Sequence, residues 1–333
     1  MVQGLLLCAL LTAAGFSLAQ LPFLASNGIS PLVVALLLGI VAGNTPLTRR
    51  FRDAGPGLKF ATSRLLRSGI VMFGLSLTLQ QITALGPMVL VLDALMITAV
   101  LTSGYFIGTR VLGMDRETTL LTSAGSAICG AAAVLATESI IRSRSAATSM
   151  AVATVVVFGT LAMLVYPLLY PLMGMHEGLF GVYIGATVHE VAQVIAAGEA
   201  VGPDALANAV IVKLVRVMML VPFLLIVGRL WLRSQAAKGA EVGISNSLTI
   251  PWFAFGFMAM VVFNSFIHLP APLHQSLVLM GQLALTMAMA ALGFNTRLST
   301  LRALGLRPFI LALILFIMLM GGGWLASTLL MGR

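Results

Sequence analysis

The sequence predicts an all-α polytopic membrane protein, an inverted-repeat helical bundle of about 9–11 spans with two discontinuous or re-entrant helices. The first observation is composition: 59% of the 333 residues are hydrophobic and only 9% are charged, whereas a soluble domain carries about 25% charged residues. The second is a mean hydropathy of +1.06. The third is a glycine-rich segment at membrane depth, where irregular backbone survives only under cover of protein or an aqueous cavity.

Apolar stretches long enough to cross or enter a bilayer follow one another along the chain, and a straight helical span needs about 20 residues. They occupy 4–20, 31–45, 65–81, 87–109, 118–141, 146–172, 178–200, 205–232, 250–268, 273–295 and 308–331. Residues 1–20 also resemble a signal peptide, but no Lys or Arg precedes Leu5, which favours an uncleaved first span. The sequence therefore predicts one transmembrane transporter domain over 1–333, surrounded by the lipid bilayer, and it leaves a homo-oligomer open.

Positive charge predicts the orientation, because Lys and Arg concentrate in cytoplasmic loops. The basic cluster after the second stretch consists of Arg49, Arg50, Arg52, Lys59, Arg64 and Arg67. It predicts a cytoplasmic N-terminus and an external C-terminus. The net charge of +9 is thereby explained without a nucleic-acid partner. Within the cluster, 58–66 is predicted to lie on the membrane surface as an amphipathic helix.

The first candidate site segment is 123–133, which is rich in small residues. Gly125 and Gly130 each weaken a helix by about 1 kcal/mol relative to Ala, and broken helices form the solute sites of many secondary transporters. We therefore predict a break here, with close packing of small residues against another helix as the alternative. The candidate solute-binding residues of this segment are Ser123, Gly125, Ser126, Cys129 and Gly130.

The second candidate site segment is GATVHEVAQ at 185–193. Ionisable side chains inside an apolar stretch are costly and are candidates for function, and Glu190 and Gln193 share a helix face. The candidates here are Thr187, His189, Glu190 and Gln193. A helical zinc motif would place a second histidine at position 193, so neither a metal nor a cofactor is expected. A histidine that is merely buried against a neighbour is the structural alternative.

The stretches 118–141 and 178–200 leave two topologies open. If both cross fully, the chain has eleven spans, and Arg142 and Arg144 lie outside. If both are re-entrant hairpins, nine spans remain, those arginines return inside and Glu177 lies outside. Because both stretches are long enough to cross, discontinuous spans are favoured.

Three further buried charges are candidates. Lys213 and Arg216 face the same side of the stretch 205–232, and two cations beside the N-terminus of a half-helix would suit a doubly charged oxyanion. Snorkelling to the outer interface is the alternative for Lys213. Asp93, inside the stretch 87–109, either carries a coupling proton or neutralises a cation on a neighbouring helix.

A weak internal repeat relates 58–109 to 278–331. Residues 74–86 align with 293–305, and each segment closes an apolar helix before another span. The two run in opposite directions, which is the pattern of an inverted-topology repeat. Chance similarity between helix ends rich in Leu, Ala and Gly is the alternative.

Several strings resemble the YeiH-type family of bacterial inner-membrane proteins, which are proposed sulfate exporters. They are SAICGAAAVLATE at 126–138, GATVHEVAQ at 185–193, KLVRVMML at 213–220, IPWF at 250–253 and MAMAALG at 287–293. The resemblance covers about residues 30–330. It implies location in a bacterial inner membrane and the fold of cation:proton antiporters and anion transporters, with inverted repeats and crossing discontinuous helices. The family's link to sulfate rests on an association with sulfonate breakdown.

Together these observations predict a secondary transporter that exports sulfate or a related small inorganic anion, and not an enzyme. The nucleotide-binding pattern GxxxxGK[ST] does not occur, which disfavours an ATP-driven pump. The main alternative is a cation:proton antiporter that uses Asp93 and Glu190. An intramembrane hydrolase built on His189 and Glu190 is less favoured.

Overall fold

The computed structural model describes residues 1–21, 30–45, 51–236, 252–267, 269–296 and 305–332, and every regular element among them is helical. The predicted all-α class is confirmed. The α-helices are α1 (Val2–Ala19), α2 (Pro31–Asn44), α3 (Gly55–Phe60), α4 (Leu66–Phe73), α5 (Leu79–Ala84), α6 (Met88–Phe106), α7 (Arg116–Ala127), α8 (Ala131–Ile141), α9 (Ser145–Met173), α10 (Glu177–Thr187), α11 (Val191–Glu199), α12 (Pro203–Met218), α13 (Leu220–Ala236), α14 (Trp252–Phe266), α15 (Ala271–Asn295) and α16 (Leu306–Met331). Short 3₁₀ or π-helical turns extend or join them at Arg52–Ala54, Ala61–Leu65, Gly74–Ser76 and Ile107–Val111.

Six helical segments in the described ranges are long and apolar enough to cross a membrane. They are Val2–Ala19, Met88–Val111, Ser145–Met173, Pro203–Trp231, Ala271–Asn295 and Leu306–Met331. The shorter apolar helices are Pro31–Asn44, Ala131–Ile141 and Trp252–Phe266. The chain is therefore a polytopic membrane protein, as predicted.

Contacts between Cα atoms divide the chain into two compact units. Unit 1 comprises Met1–Gly86, Ile195–Ala207 and Trp252–Ser299, and unit 2 comprises Pro87–Val194, Asn208–Pro251 and Thr300–Arg333. Every candidate site residue lies in unit 2. A single transporter domain over 1–333 stays a prediction.

Unit 1 has a core of small and apolar side chains. Leu7 and Cys8 of α1 share one buried cluster with Leu58 of α3 and Phe294 of α15. The predicted surface helix at 58–66 is wrong, because these residues continue from α3 through a π-helical turn into α4. Their apolar face is covered by α1 instead of lipid headgroups.

In unit 2, α7 and α8 form a re-entrant hairpin, called the first hairpin below. A straight crossing by these residues would separate its ends by about 40 Å at 1.5 Å per residue. Instead, Arg144 Nη2 lies 2.9 Å from Asp115 Oδ1, and Arg144 Nε lies 3.1 Å from Glu117 Oε2. The chain thus returns to the end from which it entered. The favoured crossing topology is wrong for 118–141, since length shows only that a segment can cross.

The helices α10 and α11 form the second hairpin. Asn208 Nδ2 of α12 donates a hydrogen bond to the Gly178 carbonyl, at the start of α10, over 3.0 Å. Further along α12, Lys213 Nζ donates to the Val188 carbonyl, just past the end of α10, over 2.8 Å. The helix α12 therefore runs beside α10 in the same direction. The chain has returned to the base of α10 by Asn208, so 178–200 is re-entrant as well.

The helix α9 joins the bases of the two hairpins. Its 29 residues rise about 43 Å, from just after Arg144 to just before His176. The hairpins therefore begin at opposite ends of α9, and the alternative of nine spans with two re-entrant segments is the one that fits the described residues.

The predicted repeat between 58–109 and 278–331 stays a prediction. Part of its second copy, 297–304, lies outside the described residues. Opposite entry of the two hairpins is nevertheless the kind of relation that an inverted-topology repeat produces.

Candidate functional site

The tips of the two hairpins meet where their helices are interrupted. Gly130, in the first tip, has φ 67° and ψ −133°, a conformation that is essentially reserved for glycine. A Cβ atom there would lie 2.6 Å from Cγ of Glu190 in the second tip. The predicted break is thus present at Gly130, and it allows the close approach of Glu190.

Gly125 has a different role from Gly130. The helix α7 continues past it to Ala127, so Gly125 does not break the helix. A Cβ atom on Gly125 would lie 2.6 Å from Cγ2 of Val134 in α8. Gly125 therefore lets the two arms of the first hairpin pack closely, which was the alternative to a break.

Lys213 joins the two tips. Its Nζ donates hydrogen bonds to the Ile128 carbonyl over 2.6 Å and to the Val188 carbonyl over 2.8 Å. These residues are the C-caps of α7 and α10, where the last carbonyls of a helix lack helical partners. The side chain is 0% exposed, so snorkelling to the interface is wrong for Lys213.

Arg216 and Asp93 form a buried ion pair beside the first tip. Arg216 Nε donates to the Ala127 carbonyl over 2.8 Å and lies 4.0 Å from Asp93 Oδ1. The two side chains are 1% and 0% exposed. Asp93 therefore neutralises a cation on a neighbouring helix, which is one of its two predicted roles. A coupling role for Asp93 stays a prediction.

Glu190 and Gln193 hold the second tip against the first. Glu190 Oε1 accepts a hydrogen bond from the backbone N–H of Ala131, the first residue of α8, over 3.3 Å. The backbone N–H of Glu190 donates to Gln193 Oε1 over 3.1 Å, an N-terminal capping contact for α11. The Gln193 amide lies so close to Gly159 of α9 that any side chain at Gly159 would overlap it. The sequence pattern did not reveal Gly159, because one glycine in a long apolar helix carries no partner information.

The charges are arranged differently from the expectation of two cations beside a half-helix N-terminus. Lys213 and Arg216 instead bind carbonyls at the C-terminal ends of α7 and α10. The carboxylate of Glu190 occupies the N-terminus of α8. Helix dipoles explain this sorting, since cations are stabilised at C-terminal ends and anions at N-terminal ends. With Asp93, the four formal charges cancel.

The remaining candidates lie on the same hairpins in different environments. Ser123 packs against Gly104 of α6, where a Cβ atom would lie 2.5 Å from the Ser123 Oγ. The hydroxyl of Thr187 donates to its own helix, to the Tyr183 carbonyl, over 2.6 Å. Ser126, Cys129 and His189 are buried at or beside the tips.

Several buried polar atoms around the tips have no hydrogen-bond partner among the described residues. They are Asp93 Oδ1 and Oδ2, Arg216 Nη2, Gln193 Nε2, His189 Nδ1 and the hydroxyls of Thr122, Ser123 and Ser126. A buried donor or acceptor without a partner costs about 1–3 kcal/mol. This concentration of unpaired groups indicates a place where solvent or a solute completes the hydrogen bonding.

Within the described ranges, no group of three His, Cys, Asp or Glu side chains is placed to hold a metal ion. His176 instead caps α10, because its Nδ1 accepts a hydrogen bond from the Leu179 N–H over 3.2 Å. His274 Nε2 lies 3.0 Å from the Leu75 carbonyl in unit 1. His268 lies outside the described residues.

Unit 1 contains a cavity of about 340 Å³. Ser76, Gln81, Glu199 and Gln282 contribute polar groups to its lining. The Glu199 carboxylate accepts hydrogen bonds from the side chains of Ser30 and Gln282. No spacing in the sequence singles out Glu199, because its partners come from distant helices.

Comparison with known proteins gives matches over nearly the whole chain. The family model described as "Conserved hypothetical protein 698" matches residues 3–312. A UPF0324 membrane protein of Pseudomonas aeruginosa is 45% identical over 337 residues, which cover 99% of this chain and 95% of the relative. The UPF0324 inner membrane protein YeiH of Escherichia coli K12 is 44% identical over 324 residues, covering 97% and 92%. YeiH of Salmonella typhi is 44% identical over 331 residues, covering 99% and 94%. No solved structure matches the chain.

Proposed function

We propose that this chain, which belongs to the UPF0324 family of membrane proteins, is a secondary transporter that exports sulfate or a related small oxyanion. Membership of the family was predicted from the strings at 126–138, 185–193 and 213–220. Two relatives are named as inner membrane proteins, and we propose the same location here. Transport of this kind makes and breaks no covalent bond, so no enzymatic step is proposed.

The observation that carries the proposal is that Arg216 is buried with an unused hydrogen-bond donor. Its guanidinium is 1% exposed, yet Nη2 has no hydrogen-bond partner among the described residues. A guanidinium binds tetrahedral oxyanions through parallel hydrogen bonds. The unpaired hydroxyl of Ser126 and the unpaired amide nitrogen of Gln193 are further donors on the tip segments. A sulfate ion offers only acceptors and would suit such a set of donors.

The hairpins also support a sidedness for the proposal. Arg142 and Arg144 follow the first hairpin and lie at its base, together with Asp115. With the base of the first hairpin in the cytoplasm, these arginines obey the positive-inside rule. The second hairpin then opens to the outside, and the meeting tips separate the two aqueous phases.

A cation:proton antiporter is the second candidate, and one observation favours it. Both carboxylate oxygens of Asp93 are buried without hydrogen-bond partners among the described residues. A carboxylate in that state is suited to binding a proton or a small cation. Under this alternative, Arg216 and Lys213 hold the tips together and bind no solute.

A flux assay in proteoliposomes separates the two candidates. Uptake of radiolabelled sulfate, sulfite and chloride is measured with and without a pH gradient. We expect Arg216→Gln to weaken the apparent sulfate affinity at least tenfold, about 1.4 kcal/mol. Arg216→Lys should restore only part of the affinity, because lysine lacks the planar fork.

The matched control is Arg229→Gln, which removes an exposed arginine further along the same helical segment. It should leave sulfate flux unchanged. Sulfate flux that is insensitive to Arg216→Gln would rule out the anion site. Cation exchange that is driven by pH and lost in Asp93→Asn would establish the antiporter instead.

A further inference from the structure

The N-terminus of α8 already binds a negatively charged group, which is a carboxylate side chain of the protein itself. Glu190 Oε1 accepts a hydrogen bond from the Ala131 N–H over 3.3 Å. The helix has 11 residues, and its first N–H groups and its dipole favour negative charge. A carboxylate from the second hairpin therefore occupies a place where a small oxyanion would also be stabilised.

The Glu190 side chain can leave this place while the backbone of its own tip stays fixed. Its backbone is fixed independently, because its N–H donates to Gln193 Oε1 over 3.1 Å. Its side chain is half-buried, whereas Asp93, Lys213 and Arg216 are almost completely buried. Rotation about the side-chain bonds can therefore move the carboxylate while α11 and the tip stay in position.

Residues of the tips and of α12 carry hydrogen-bond donors that have no partner among the described residues. Gln193 is 0% exposed, and its Nε2 has no partner in the part of the chain that the structure describes. The same is true of Arg216 Nη2, on a side chain that is 1% exposed. The oxygen of the same Gln193 amide accepts the hydrogen bond from the Glu190 backbone N–H. The unused donor therefore belongs to a residue in direct contact with Glu190. A tetrahedral oxyanion has more acceptors than the Glu190 contact uses.

We propose that the Glu190 carboxylate is an internal substitute for the transported anion, and that the anion binds as Glu190 takes up a proton and withdraws. The inference rests on the proposed anion transport. In the step, the carboxylate takes one proton from solvent, and the Ala131 N–H exchanges Glu190 Oε1 for an oxygen of the anion. Two anions at one helix N-terminus would repel each other, so binding and protonation are coupled.

The other ionisable groups around the tips are almost completely buried, and two of them are cations. The helix α12 presents Lys213 and Arg216, α6 presents Asp93, and the tips present Cys129 and His189. The cations are tied to carbonyls at the ends of α7 and α10. Glu190 is the one acidic group of this set that accepts a hydrogen bond from a helix N-terminus.

The test is proton uptake during sulfate binding to the purified full-length protein in weakly buffered detergent solution. The wild type should take up about one proton for each sulfate bound near neutral pH. Its sulfate affinity should fall about tenfold for each unit of rising pH, as linkage to one proton requires. Glu190→Gln should bind sulfate without proton uptake and with an affinity that hardly depends on pH.

Glu138→Gln is the matched control, since Glu138 lies on α8 away from the tip, and its proton uptake should equal that of the wild type. If Glu190→Gln does not fold, Glu190→Asp replaces it. The shorter side chain cannot reach the Ala131 N–H, so the fall in affinity with pH should shrink. Sulfate binding without proton uptake in the wild type would overturn this inference alone. No sulfate binding by the wild type would overturn the transport proposal together with it.

Discussion

At the residue scale, Gly130 sets the geometry of the tips. Its φ is 67°, and a Cβ atom would lie 2.6 Å from Glu190 Cγ. We expect Gly130→Ala to abolish sulfate flux, because the backbone conformation and the contact with Glu190 cannot both persist. Flux in proteoliposomes and the elution profile of the purified protein are the measurements.

Gly174 provides the matched control for Gly130. Its φ is 63°, but nothing lies within 4 Å of a Cβ atom there. Gly174→Ala should therefore cost only the left-handed strain, about 1–2 kcal/mol, and should keep its flux. Wild-type flux in Gly130→Ala would show that the segment 123–133 serves close packing and not the solute.

The residue types at the tips could be predicted, but their partners could not. A buried Lys213 and Arg216 in an apolar stretch stand out by their cost. The sequence suggested that they face a solute beside a helix N-terminus, yet they bind carbonyls at helix C-termini. Which end of a broken helix a cation meets depends on the path of the chain, and spacing along one helix does not contain that path.

At the element scale, the first hairpin is closed by a charged clasp at its base. Asp115 Oδ1 accepts from the Thr118 N–H over 3.0 Å and lies 2.9 Å from Arg144 Nη2. Burial acts to raise the pKa of Asp115, but hydrogen bonds from Thr118 and the Arg144 guanidinium outweigh it and hold that pKa below its usual value. The clasp therefore persists into mildly acidic solution.

The lowered pKa of Asp115 predicts how the stability of the fold changes as the pH falls. Because the folded pKa lies below the unfolded value of about 3.9, the clasp stabilises the fold fully above that pH and is lost as pH falls through the folded pKa. We expect Asp115→Ala to cost about 0.5–2 kcal/mol at pH 7, as the loss of a helix cap does. The variant should also lose stability less steeply than the wild type below about pH 4.

Thermal unfolding in detergent between pH 3 and pH 7 measures both effects. Asp53→Ala, which removes an exposed carboxylate in unit 1, should follow the wild-type curve. Acid profiles that coincide for Asp115→Ala and the wild type would mean that the clasp does not stabilise the hairpin.

The break between α7 and α8 could be predicted from the sequence, because its backbone conformation requires a particular residue type. Gly130 separates α7 from α8 as the N-cap of α8, and few other residues adopt its backbone conformation. The return of the chain was not predictable, since 118–141 is long enough to cross and an arginine can follow a span on either side. The ion pair between Arg144 and Asp115 decides the matter, and it joins residues that no helical spacing brings together.

At the scale of the whole molecule, the two hairpins begin at opposite ends of α9, and the proposed topology puts their bases on opposite sides of the membrane. The first hairpin has its base at the start of α9, and the second has its base near the end of α9. Under the proposed transport function, a solute that crosses unit 2 would pass the meeting tips, where Gly130 and Glu190 are in contact. In that proposal, alternating access amounts to opening one hairpin while the other stays closed.

Cysteine labelling tests this topology directly. Cys8 and Cys129 are first replaced by serine, and single cysteines are placed at Met114, Ser145 and Leu172. We expect an impermeant thiol reagent to label Met114→Cys and Ser145→Cys only after the cells are opened, since the positive-inside rule puts both in the cytoplasm. Leu172→Cys, near the far end of α9 and 81% exposed, should be labelled in intact cells.

The decisive measurement is whether Met114→Cys and Ser145→Cys are labelled from the same side of the membrane. A re-entrant hairpin places both on one side, whereas a crossing stretch would place them on opposite sides. Reporter fusions after Arg52 and after Arg302 are expected to be cytoplasmic as well, although Arg302 lies outside the described residues. If Met114→Cys and Ser145→Cys are labelled from opposite sides, 118–141 crosses the membrane, and the pairing of Arg144 with Asp115 does not exist in the cell.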